Sequence, residues 1–147
     1  MARKKDKADI TFFKNKVFKQ DVLKLLNRLP DKSVDMVYGD ADYNVGIGYH
    51  GRSFRKKFDE YIEWYIELTR ESIRVLKNEG NLMMINYPKP NAHLRIKFLE
   101  ENTYSVHEYV WTYNTNIGQT KRYFTFSLSE LSLFLLQNPL GDPRCRN

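Results

Sequence analysis

A single cysteine rules out an internal disulfide framework. Cys145 sits between Arg144 and Arg146 and fits a reducing cytosol, so the expected location is cytoplasmic. No apolar run is long enough to span a bilayer, and a membrane partner is not expected. The opening Ala2-Arg3-Lys4-Lys5-Asp6-Lys7 has no apolar segment behind it. It does not read as a secretory signal, and residues 1–10 read as a basic tail. The histidines His50, His93 and His107 share no metal-ligand spacing, so no metal is expected. No Ser-His-Asp or Cys-His arrangement suggests a nucleophile. Internal repeats and low-complexity tracts are also missing.

What is present suits one domain with a real core. The chain has 147 residues, of which 41% are apolar and 14% aromatic, too many for a disordered polymer. The formal charge of +6 suits a polyanionic partner, although a charge pattern often does no more than solubilise. Trp64 and Trp111 read as core residues.

Hydrophobic periodicity gives the order of elements. Phe12 to Phe18 reads as a short strand or extended entry. Asp21 is placed to cap a helix with Val22, Leu25, Leu26 and Leu29 on one face. After a turn at Pro30-Asp31, Val34 to Tyr38 reads as a buried strand. A long helix is expected from about Phe58 to Leu76, with an inward stripe of Tyr61, Tyr65, Leu68, Ser72 and Leu76, ended by Asn78-Glu79-Gly80. Asn81 to Asn86 reads as a second buried strand, broken by Pro88 and Pro90. A helix over Asn91 to Glu101 would turn Leu94, Phe98 and Ile96 inward. His107 to Tyr113 and Leu131 to Gln137 read as strands flanking a polar loop, Asn114 to Tyr123. Strands separated by helices imply a parallel sheet, and the last pair, joined without a helix, implies an antiparallel hairpin. Residues 11–138 are the expected domain and 139–147 a flexible tail.

The chemistry concentrates in Asp40-Ala41-Asp42-Tyr43, where the first of these strands ends. Ligands of such sheets bind beyond the carboxyl ends of the strands. A carboxylate and a backbone carbonyl there can both accept hydrogen bonds from an exocyclic amine, while a Tyr ring stacks on the base that carries it. Asp42 puts a second carboxylate close to the first, and like charges so near disfavour joint ionisation. Solvent or Lys56 is its expected counterpart.

The tetrapeptide resembles the Asp-Pro-Pro-Tyr motif of the beta-group DNA amino-methyltransferases, which act on adenine N6 or cytosine N4. Both prolines are replaced here. Other segments agree in the same order: Asp21-Val22-Leu23 with Leu29-Pro30-Asp31-Lys32-Ser33-Val34-Asp35, then Asn44 and Gly46, then Arg74-Val75-Leu76-Lys77-Asn78-Glu79-Gly80, then Lys121-Arg122-Tyr123-Phe124-Thr125. The resemblance covers the amino-terminal, catalytic-loop half of the family. The family's Phe-x-Gly-x-Gly segment and target-recognition region have no counterpart here. The resemblance implies a partial Rossmann-like α/β methyltransferase fold, mostly parallel, with a terminal antiparallel hairpin. It implies S-adenosylmethionine as cofactor and double-stranded DNA as substrate, with the base flipped out and its amine attacking the methyl group in line. Asp40 and the Ala41 carbonyl would accept from the amine, with Asp42 in the same loop. Tyr43 would stack on the base, and an Asp in first position favours adenine N6. Asp21, Val22 and Asp40 would help hold the cofactor. Arg52, Arg55, Lys56, Lys57, Lys121 and Arg122 would reach the nucleic acid. The strand before Asp40 would lack its family neighbour, so a homo-oligomer or a complementary methyltransferase half is expected.

Two other readings stay open. One is a non-catalytic nucleic-acid-binding or assembly subunit with a degenerate site. The other is an unrelated nucleotide-binding protein using Gly46-x-Gly48-x-x-Gly51, a dinucleotide fingerprint only if a helix starts just after it. Otherwise these glycines are hinges of a mobile loop.

Overall fold

The computed structural model describes residues 9–44, 48–49, 52–53, 55–103, 105–111 and 131–137. Residues 1–8 of the basic tail, the loop containing Lys121 and Arg122, and the segment 139–147 lie outside the described residues.

A 3-10 turn, Ile10–Phe13, takes the start of the segment expected as a short strand or extended entry, and no strand forms over residues 14–18. The Asp9 carboxylate accepts from the Thr11 N–H at 2.9 Å and starts the turn. Rings of Phe12, Phe13 and Phe18 then pack together, with centroids 5.2 to 5.9 Å apart. Helix α1 is Val22–Leu26, and Asp21 caps it as expected, its carboxylate accepting from Lys24 N–H at 2.9 Å. The inward face differs from the expected one. Leu26 is buried and Leu23 and Leu29 pack on the core, whereas Val22 is exposed.

Strand β1 is Val34–Asp40. Two short pieces, β2 (Gly48–Tyr49) and β3 (Arg52–Ser53), form a small antiparallel pair. Helix α2, Phe58–Val75, carries Asp59 and Glu60 in its first turn and Arg74 in its last, complementing the helix dipole. Its buried stripe includes Tyr61, Tyr65, Leu68 and Ser72. The hydroxyls of Thr69 and Ser72 donate to the carbonyls of Tyr65 and Leu68, each at 2.8 Å, so neither is an unpaired buried polar group. Arg74 binds the carbonyls of Leu26 and Leu29 and the carboxylates of Glu71 and Asp31, which ties α1 to the end of α2.

Strand β4 runs Leu76–Asn86, directly out of α2. The expected cap at Asn78-Glu79-Gly80 is instead an irregularity within this strand: Val34 pairs with Leu76 and Met36 with Asn81. Gly80 suits the crowded position, where a Cβ would lie 3.0 Å from the Lys77 carbonyl and 3.1 Å from that of Asp35. Pro88 begins helix α3, Pro88–Leu94, rather than ending a segment, since a first helical residue needs no N–H partner. One π-helical turn (Arg95–Leu99) and a final piece (Glu100–Asn102) extend it. Leu94 and Phe98 are buried as expected and Leu99 with them, whereas Ile96 is 70% exposed, because two residues from each it falls on the opposite face. Strand β5 is Ser105–Trp111 and β6 is Leu131–Gln137.

These elements form an α/β, partial Rossmann-like fold. The sheet order is β1-β4-β6-β5. β1 and β4 are parallel, and β5 and β6 form the expected terminal antiparallel pair. β6 also pairs antiparallel with β4, so the parallel part is confined to β1 and β4. The core gathers Tyr65, Leu68, Val75, Leu82, Met84, Leu94 and Leu99 between α2, β4 and α3. β1 departs from the buried strand expected: Met36 is 51% and Tyr38 56% exposed. The reason is position, because β1 is an edge strand and among the described residues only β4 pairs with it.

Candidate active site at the end of β1

Gly39 and Asp40 pair with Met84 and Ile85 of β4, which brings the end of β1 to the end of the core strand. A cavity of about 460 Å³ opens beside it, lined by Val22, Leu26, Trp64, Leu68 and Met84 together with Val37 to Asp42 and Ser72. Its walls are largely apolar, and the carboxylate-bearing loop supplies most of its polar rim. Val22 and Asp40 both line it. Asp21 does not, and its carboxylate is engaged in capping α1.

The loop itself is heavily bonded. The Tyr43 hydroxyl donates to Asp40 Oδ1 at 2.5 Å, and the Tyr43 ring meets Tyr87 edge-on at 5.2 Å between centroids. Partial burial, with the neighbouring Asp40 carboxylate, pushes the Tyr43 phenol above its ordinary range. Asp42 Oδ1 accepts from the Asn44 N–H at 2.7 Å, so the two carboxylates have separate donors. Asp42 thus has a backbone partner within its own loop. Asn44, at φ 57°, donates through Nδ2 to the Lys56 carbonyl at 3.0 Å and accepts from Lys56 N–H at 2.7 Å. That pairing brings the exposed Arg55, Lys56 and Lys57 next to the loop. Arg52 lies in β3, and its side chain is outside the described residues, as are Lys121 and Arg122. Because Gly48–Tyr49 pairs with Arg52–Ser53, a strand pair occupies the place where a dinucleotide fingerprint needs a helix.

Beneath the loop lies a polar network that sequence spacing does not reveal. The Tyr61 hydroxyl donates to the Asp42 carbonyl at 2.7 Å and accepts from Asn86 Nδ2 at 2.6 Å. The Tyr65 hydroxyl donates to Asn91 Oδ1 at 3.0 Å. Tyr61, Tyr65, Asn86 and Asn91 are all fully buried. The only hints in the sequence are Asn86 at a strand end and two tyrosines in the stripe of α2. Among the described residues, no three His, Cys, Asp or Glu side chains gather into a metal-binding group.

Burial pushes the Tyr61 phenol from its ordinary 10.0 up to about 12. A value raised in the folded state means the contribution to stability is complete below pH 10 and is lost as pH rises through about 12. Denaturant unfolding between pH 8 and pH 11.5 should show wild type weakening above pH 10, and Tyr61→Phe weakening less over the same window. Equal slopes would contradict this.

An acidic strand end, an adjoining aromatic and an apolar cavity on a Rossmann-like sheet are the furniture of amino-group methyltransferases. Residues 34–135, from β1 into β6, match the family model of DNA methylases acting on N6 and N4, and the chain belongs to this family. It is 36% identical over 80 residues to the Type II methyltransferase M.BamHI of Bacillus amyloliquefaciens, covering 54% of this chain and 19% of that protein. It is 29% identical over 104 residues to the DNA adenine methyltransferase YhdJ of Escherichia coli, covering 71% and 35%. Against the Type II methyltransferase M.HpaI of Haemophilus parainfluenzae it is 30% identical over 105 residues, covering 70% and 33%. The chain thus spans between about a fifth and about a third of the length of these relatives.

Proposed function

We propose that this chain forms the catalytic-loop half of a DNA adenine-N6 methyltransferase that uses S-adenosylmethionine and acts in the cytoplasm. The observation that carries the reading is the position of Asp40 and Ala41, at the carboxyl end of β1 and on the rim of the apolar cavity. The cavity's volume falls in the range that takes a nucleoside-sized ligand. Its apolar walls suit the adenosine part of the cofactor, and the Asp40 carboxylate suits its cationic sulfonium, which supplies the methyl group.

In this reading the flipped base lies over Tyr43, a stacking contact worth about 1–3 kcal/mol. Its amine donates to the Asp40 carboxylate and the Ala41 carbonyl, which orient the nitrogen lone pair and draw off its developing charge. The Tyr43 hydroxyl, now on Asp40 Oδ1, gives way to the amine. Arg55, Lys56 and Lys57 beside the loop, with Arg52, Lys121 and Arg122, take the phosphates of double-stranded DNA. Adenine is favoured by Asp in first position and by the likeness to a protein named as a DNA adenine methyltransferase. The open edge of β1, with Met36 and Tyr38 exposed, suits pairing with a complementary methyltransferase half or a second copy of the chain.

Calorimetric titration with S-adenosylmethionine, with the oligomeric mass recorded on the same sample, tests the cofactor part. Incorporation of labelled methyl into adenine-containing duplex DNA tests the chemistry. Saturable binding and adenine labelling support the reading. A folded sample that binds duplex DNA but not the cofactor would replace it with the non-catalytic nucleic-acid-binding subunit.

A further inference from the structure

We infer that Tyr61 is the positioning residue for the Asp40-to-Tyr43 loop: its hydroxyl, fixed from below by Asn86, sets the backbone that carries the amine acceptors. This rests on the amine-methylation reading above.

Donor and acceptor accounting fixes the direction of every bond. The Tyr87 N–H reaches Asn86 Oδ1 at 2.8 Å, which assigns that atom as the amide oxygen. The other amide atom, Nδ2, has only hydrogens to give, so at 2.6 Å the Tyr61 oxygen must accept from it. The single phenolic proton of Tyr61 is then committed to the Asp42 carbonyl at 2.7 Å. The ring has little freedom. It stacks on Tyr65 with centroids 5.9 Å apart and planes within 12°. Tyr65 is held by Asn91, whose Nδ2 donates to the Asn86 carbonyl at 3.4 Å.

The loop needs such a hold. Residues 41 and 42 are Ala and Asp, and neither restricts its own backbone as a proline would. The pairing of Asn44 with Lys56 is exposed, where water competes for the same groups. The Tyr61 bond arises from a fully buried side chain, where a hydrogen bond is electrostatically stronger. It acts two residues beyond Asp40 and one beyond Ala41. A loosened Asp42 carbonyl shifts both acceptors together.

Tyr61→Phe keeps the ring and its stack and removes only the hydroxyl. Hydrogen–deuterium exchange of the full chain should show residues 40–44 exchanging about tenfold faster in the variant, with 81–86 in β4 unchanged. In the methyl-transfer assay kcat should fall about tenfold to a hundredfold, with KM for DNA and Kd for S-adenosylmethionine within about twofold. Tyr65→Phe, which breaks a bond in the same network but not the one to the loop, should leave exchange over 40–44 unchanged. Unaltered exchange at 40–44 in Tyr61→Phe overturns the inference. So does a rise shared equally with 81–86, which would make Tyr61 a core residue only. If wild type transfers no methyl, the proposed activity fails, and the exchange data still decide the role of Tyr61.

Discussion

Asp40→Ala is expected to lower methyl transfer to adenine at least about a hundredfold while leaving the fold intact. Two effects combine. A positioned acceptor aimed at developing charge is worth about 10²–10³ in rate when removed. The remaining Ala41 carbonyl can accept one amine hydrogen but cannot balance the charge. Stability should change little, within about 0.5 kcal/mol, because Asp40 is exposed at the end of an edge strand and among the described residues its side chain bonds the Tyr43 hydroxyl. Asp40→Asn separates the two roles: it keeps an acceptor oxygen and removes the charge, so it should lie between wild type and alanine. Tyr43→Phe provides the contrast. It keeps the ring for stacking and frees Asp40 Oδ1 from an internal donor, so it should cost less than tenfold. The measurement is labelled methyl incorporated per minute into duplex DNA. Transfer by Asp40→Ala within a few-fold of wild type would move the acceptor role elsewhere on the loop.

The site is legible in the sequence where the determinants are local. Asp40 to Tyr43 stands at a strand end because a short β-rich run stops there, and the Asp21 cap needs only its own helix. The stripe of α2 follows from helical spacing, and Leu131–Gln137 from an apolar run of strand length. What escapes is decided by neighbours. Val34 to Tyr38 is apolar enough to look buried, but its exposure depends on which strand lies beside it. The helix ends at Val75, within a residue of the expected Leu76, but the Asn78-Glu79-Gly80 stop expected after it lies inside β4, because pairing with β1 draws Leu76 to Gly80 into the strand as an irregularity. Ile96, by contrast, faces outward because it lies two residues from both Leu94 and Phe98, on the opposite side of the helix, which a strict 3.6-residue period already implies. The Tyr61–Asn86 bond joins residues 25 apart on different elements, and no local pattern encodes it. The missing prolines draw attention to the loop as a weakness, whereas its rigidity comes from that distant pair.

Asn86→Ala should therefore be among the most costly single changes outside the apolar core, at about 2–4 kcal/mol. Asn86 is completely buried at the end of β4, and its side chain serves two others. Removing it leaves the Tyr87 N–H without its acceptor and the Tyr61 oxygen without its donor, each an unmet group costing about 1–3 kcal/mol. The missing amide also leaves a void that the stacked tyrosines cannot fill by turning. Asn86→Leu discriminates between these causes, since it fills the space and satisfies neither partner. If unmet hydrogen bonds dominate, leucine is as damaging as alanine, and if the void dominates, leucine recovers most of the loss. Chemical denaturation of both variants measures this directly. A double-mutant cycle with Tyr61→Phe completes the argument. The two side chains share one bond, so their separate losses should exceed the joint loss by about 1 kcal/mol. Strict additivity would mean that Asn86 supports the end of β4 through Tyr87 alone and that the loop is held without it.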